Sequence, residues 1–290
     1  MTPLVRTIAR HDIDEVNAEE TVKRLAGRAH EAREDIEEIP LGFEFAMNRS
    51  LDEFANRCVG DPRAAWSETW YVFVRAMQAS SAFFLAASKP EGEEIEFRYG
   101  EDTIRRPATG ATRESHAANW LTAMYLNMIG RERQRIDLLA GVPIDLLRES
   151  GPQYDEFLFS WVHALQVYWR GEDGLIDAVL EAMRGTEPER LQRFEAEPVL
   201  QLYYPPMELF YLLTQREDAK FNDSLATALE LHKRYWTAEE ERLRNPRGYV
   251  ALGPLAMACL ARDAGVTIEV ESDYLPIHLL DGTRVGEMST

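Results

Sequence analysis

An all-α fold is predicted by three observations. Apolar residues recur at steps of three, four and seven along most of the chain, short connections containing Gly and Pro separate these stretches, and alternation of period two occurs at one place only. The 290 residues are 45% apolar, enough for a sizeable core. No composition shift or long linker divides them, so the expected architecture is one domain over 1–290 with helix pairs packed in sequence.

Taken in order, residues 1–40 read as an acidic N-terminal region with a helix over about 19–37. Ser50-Leu51-Asp52-Glu53 has capping-box spacing and predicts a short helix ending near Gly60. Asp61 as N-cap and Pro62 at the first helical position then begin a long helix to Ser88. Trp66, Trp70, Phe73, Met77 and Phe84 form one stripe of it, and Tyr71, Val72 and Val74 make much of the other side apolar, so it should be central. Next, Glu94 to Tyr99 alternates and Thr103 to Arg106 can return antiparallel, a small β-hairpin inserted at 94–106.

Two more stripes, Ala117/Leu121/Met124/Met128 and Phe157/Trp161/Leu165/Tyr168, predict further helices. Others are expected over about 131–140, 172–184, 206–214, 217–236 and 247–264. The prolines of 141–143, 151–152 and Tyr204-Pro205-Pro206 stop or redirect helices, because proline restricts both itself and the residue before it.

Acidic residues number 50 against 32 basic ones, a formal charge of −18. Affinity for nucleic acid comes mainly from cations neutralising phosphates, so a nucleic-acid partner is not expected, and an anionic membrane surface is disfavoured likewise. Cys58 and Cys259 lie far apart inside helical patterns, which suits a reducing compartment. The N-terminal residues turn acidic before any signal-peptide core develops, and the uncharged stretch 249–261 is too short to span a bilayer. A cytoplasmic location is expected.

Neither a metal nor a cofactor is expected. There is no HExxH, and His30/Glu34, a His/Glu pair at i, i+4, sits in a run of surface charge. No GxSxG elbow surrounds a Ser, and Gly171-Glu172-Asp173-Gly174 puts two acids where a phosphate would sit. More informative are His116/Trp120 and His232/Trp236, each pair on one helix face. His232 continues the stripe Phe221, Leu225, Ala228, Leu229 and should point inward. One reading is a core histidine satisfied by a carbonyl or carboxylate. The other is an aromatic pocket with His116, His163 or His232 as general acid/base, walled by Trp120, Tyr154, Trp161, Tyr168, Tyr204 and Trp236, with Trp169 and Tyr203 also available.

Charge is itself a candidate site. Residues 12–38 carry ten acids and four bases, residues 91–102 six acids and one base, and residues 263–287 six acids and one base. Such runs are usually solvated faces, yet together they would steer a basic partner. Glu239, Glu240 and Glu241 after Trp236, and Glu94 and Glu96 of the hairpin, are the candidate partner surfaces.

Several stretches resemble the immunity protein 49 family of bacterial polymorphic-toxin systems. They are NRSLDEFANRCVGDP at 48–62, NWLTAMYLNMIGRERQR at 119–135, VPIDLLRESGPQYDEF at 142–157, FNDSLATALELHKRYWT at 221–237, and GYVALGPLAMACLARDAG with IEVESDYLPIHLL across 248–280. The resemblance implies a largely α-helical, non-catalytic protein that binds and neutralises a cognate toxin in its producer's cytoplasm, and it supplies no catalytic residues. With the charge, it implies a basic toxin.

Overall fold

The structure, a computed structural model, describes residues 5–39 and 41–288. The first four residues of the acidic N-terminal region, Pro40 and 289–290 lie outside the described residues. The chain is predominantly helical, as the periodicity predicts.

Strand β1 (Arg6–Thr7) is followed by α1 (Glu15–Gly27), α2 (Ala29–Glu38), α3 (Gly42–Gly60) and α4 (Ser67–Ser88). Strands β2 (Glu94–Tyr99) and β3 (Asp102–Pro107) pair antiparallel with Glu96 opposite Arg105, the expected hairpin. Then come α5 (Ala117–Gly130), α6 (Arg133–Ala140), α7 (Ile144–Glu149), α8 (Glu156–Arg170), α9 (Leu175–Gly185) and α10 (Ala196–Pro198). A π-helical turn (Val199–Tyr203) runs into α11 (Tyr204–Thr214). After these follow α12 (Asp218–Thr237), α13 (Glu240–Leu243), a 3-10 turn (Pro246–Gly248), α14 (Leu252–Asp263), β4 (Val270–Glu271) and α15 (Ile277–Leu280).

Several boundaries differ from those predicted, each for a local reason. The long helix starts at Ser67 rather than Pro62, because the Asp61 carboxylate accepts from the backbone N–H groups of Ala65 (2.8 Å) and Trp66 (2.9 Å) and so closes a turn. Within that turn Ala64 has φ +52, which no helix continues through. Ser50 is no helix start: α3 runs unbroken from Gly42 because Phe43, Met47, Leu51, Phe54 and Cys58 keep helical spacing on a buried face. The expected 19–37 helix is two, divided at Arg28, whose φ −110 and ψ 17 lie outside the helical region, and the first is capped by Asp14. The 172–184 helix begins later, after left-handed Gly171 and Gly174.

Sequence neighbours pack together, α3 on α4, α4 on α5, α8 on α9 and α11 on α12, while α14 returns to lie on α5 and α11. Helix α4 is central, with residues such as Phe73, Met77, Phe83 and Phe84 buried in an apolar cluster that is continuous from Ile8 to Leu280. A buried ion triad ties α3 to α4: Glu53, 1% exposed, accepts from Arg57 (2.9 Å) and Arg75 (3.0 Å). Strands β1 and β4 pair in parallel, and the His11 peptide N–H donates to the Tyr274 hydroxyl at 3.1 Å, so residues 6–11 are held by residues 270–274. Among the described residues no helix is long and apolar enough to cross a membrane.

Candidate functional site

A half-open cavity of about 280 Å³ forms where α3, α5, the π turn, α12 and the 3-10 turn meet. Its walls are mainly apolar, with Leu51 and Phe54 from α3, Leu121 and Tyr125 from α5, Leu202 and Tyr203 from the π turn, Trp236 from α12 and Val250 beyond the 3-10 turn. Backbone features of the sequence make the shape. Pro205 and Pro206 have no N–H for the carbonyls four residues back, and the turn before them is π, closed by Tyr204 N–H to the Val199 carbonyl. At Gly248 a Cβ would lie 2.7 Å from the Trp236 ring, so only glycine lets the 3-10 turn rest on that indole.

Polar groups at this cavity are few. His232 Nε2 lies 3.0 Å from the Gly248 carbonyl, which only accepts, so Nε2 carries the proton and Nδ1 is a bare acceptor. Burial lowers the His232 pKa to about 4, so the ring is neutral near pH 7. Its ring stands edge-on to Tyr274 at 4.9 Å. Behind it, the Tyr274 hydroxyl accepts the His11 peptide N–H and lies within hydrogen-bond distance of His11 Nδ1, at 2.7 Å, and burial likewise lowers His11 to about 4. Among the described residues no carboxylate hydrogen-bonds either imidazole, and the buried indole N–H of Trp236 has no partner.

The cavity lip carries charge. Arg247 donates to Asn48 Oδ1 at 2.6 Å and pairs with Asp52 at 3.3 Å. Asn119 Nδ2 donates to the Glu114 carbonyl at 2.9 Å, and the Glu44 carboxylate approaches both Asn48 and Asn119. Burial and then the neighbouring Glu114 charge raise the pKa of Glu44. Both Glu44 and Glu114 are partly buried, and among the described residues neither has an ion-pair partner within 4 Å.

Of the residues singled out from sequence, the cavity brings together His232, Trp236 and Tyr203. Glu241 adjoins them, in a groove it shares with Arg244, Pro246 and Arg247. The others stand elsewhere. His116 caps α5, its Nδ1 accepting from the Asn119 N–H (3.3 Å) and from the Tyr154 hydroxyl (3.1 Å), with Tyr154 stacked on Phe194. Trp120 is fully buried and donates to the Leu139 carbonyl. Trp161, also fully buried, donates to Tyr125 at 2.7 Å and so braces the cavity wall from behind. Tyr168 packs edge-on against Phe210 and Trp169. Tyr204 is partly buried near Glu208, and His163 is exposed.

Several of the acidic candidates are already paired: Glu96 with Arg105 at 2.5 Å, Glu239 with Arg242 at 2.8 Å and Glu240 with Arg244 at 2.6 Å, while Glu94 is exposed on the hairpin edge. Arg247, Asn119 and Gly248 were not legible as site residues, since nothing in their local spacing marks a wall built from five distant segments. Both cysteines are buried, which pushes their thiols up, Cys259 to about 12. Among the described residues no group of three or more His, Cys, Asp or Glu is placed to hold a metal ion.

A family model described as Immunity protein 49 matches residues 61–279, which include every wall of the cavity except that from α3. No curated protein and no solved structure matches the chain.

Proposed function

The chain belongs to the immunity protein 49 family, and from that premise we propose that it binds and neutralises a cognate protein toxin, without catalysis, in the cytoplasm of the cell that makes the toxin. The observation that carries this reading is the family match over 61–279. The formal charge of −18 supports a basic toxin, because complementary potentials steer encounter and penalise wrong partners. Neutralisation by binding needs a surface, not reactive groups, and the unpaired acids at the cavity lip offer one to a cation.

The second reading, an enzyme or ligand-binding protein built around a histidine, draws on the fact that His232 and Trp236 line a cavity. Against it stands the chemistry of His232. Its N–H is given to a peptide carbonyl, and its pKa near 4 leaves it a weak base, far from the value that general acid–base work at neutral pH favours.

Native mass spectrometry of the protein purified at low salt from its own host tests the two readings. A stoichiometric basic protein partner is the expected result. A retained small molecule, or a bare monomer, would count against toxin binding.

A further inference from the structure

We propose that the cavity between α3, α5 and α12 is a socket for one large apolar or aromatic side chain of the toxin, whose neighbouring residue is a lysine or arginine that lands on Glu44 and Glu114. The inference rests on the toxin-binding reading for the partner being a protein, and names where and how that partner docks.

Size is the first argument. At about 280 Å³ and open on one side, the cavity has room for a single large side chain. Its walls are apolar and aromatic, like the pockets that receive interface anchors. His232 gives its Nε2 proton to the Gly248 carbonyl, so its ring joins the cavity wall as a neutral aromatic face.

Charge is the second. Glu44 and Glu114 repel one another in a partly buried place, and the nearest cation, Arg247, is occupied by Asp52 and Asn48. Arg247 and the amides of Asn48 and Asn119 offset this repulsion only in part, since the Glu44 pKa is still raised. A cation brought by a partner would relieve it. Asn119 is a wall of the cavity, its amide donating to the Glu114 peptide carbonyl and lying beside the Glu44 carboxylate, so an anchor in the socket places the next side chain near Glu44.

The test uses N-acetyl-Trp-Arg-amide, N-acetyl-Trp-Glu-amide and indole as probes of the full chain, read by the shift of the Trp236 indole N–H resonance during titration. The Arg dipeptide is expected to bind about fivefold more tightly than the Glu dipeptide. Glu44→Gln with Glu114→Gln should remove that preference while both peptides still bind, and Ala118→Phe, which fills the socket, should abolish binding of both. The glutamine pair keeps side-chain shape, so the test survives if the filled variant misfolds. Equal affinity for the two dipeptides in the unsubstituted protein, no shift with either, or indole binding as tightly as the Arg dipeptide would each overturn the proposal, the last in favour of a small-molecule site. A negative dipeptide result leaves the toxin-binding reading standing, whereas absence of a toxin from the purified protein removes that reading whatever the dipeptides do.

Discussion

His232 shows how one side chain is assigned by what its two nitrogens meet. The Gly248 carbonyl fixes the proton on Nε2, and burial holds the ring neutral with a pKa near 4, as it does for His11 on the far side of Tyr274. Both folded values lie below the ordinary 6.5 of an unfolded histidine. Their contribution to stability is therefore complete above about pH 6.5 and is lost as pH falls toward 4, at about 1.4 kcal/mol per pH unit for each histidine. Urea unfolding measured from pH 7 to pH 4 should show this slope, and His232→Gln should reduce it by one histidine's share. An unchanged slope would mean that His232 does not titrate between the two states. That His232 points inward was legible in the stripe Phe221, Leu225, Ala228, Leu229. Its carbonyl partner was not, because Gly248 is brought to it by a 3-10 turn that leaves no periodic mark.

At the scale of elements, periodicity located the helices and misjudged several of their ends. Asp61-Pro62 has the form of a helix start, but the same carboxylate serves equally well to close a turn, and a positive φ at Ala64 decides the matter. Asp155 is the comparable device in the second half of the chain. Burial alone would raise its pKa, but its carboxylate accepts from the backbone N–H groups of Phe194, Arg193 and Gln192, which together pull it below the usual carboxylate range. It thereby pins the connection ahead of the π turn, on which Phe194 packs against Tyr203 of the cavity wall. Asp155→Ala should destabilise the protein by about 2 kcal/mol, since buried donors lose a charged acceptor. It should also raise amide exchange at 192–194 before exchange in α8. A uniform rise across the chain would show only global destabilisation. The hairpin was legible because alternation with a Gly-containing reversal is a local signal, whereas the β1–β4 pair joins segments more than 250 residues apart and carries none.

For the molecule as a whole, the ion pairs are mostly local, such as Lys23 with Glu19, Arg33 with Glu37 and Arg133 with Asp137 on single helix faces. Exposed pairs of this kind add little to stability. They also cannot cancel a surplus of acids, so the charge of −18 remains available to act at a distance. Association with the proposed basic partner should therefore slow by about tenfold or more between 50 mM and 500 mM NaCl, as the screening length shortens. A rate insensitive to salt would remove the electrostatic part of the proposal and leave the socket to carry recognition. The acidic balance was readable from composition. Which acids stay unpaired was not, for Glu44 and Glu114 meet only because α3 passes the start of α5.

The pairing of β1 with β4, and of His11 with Tyr274, also sets a clock. During synthesis the strand at residues 6–7 waits for its partner until residue 271 has left the ribosome, at rates of roughly 5–20 residues per second. The wall that holds His232 in place is finished in the same last interval, since Tyr274 packs against that ring. A chain that stops short of residue 270 therefore lacks both the strand that pairs with residues 6–7 and the ring that packs on His232. Truncation near the C-terminus is thus felt at the opposite end of the chain, where residues 6–11 lose the partners that hold them.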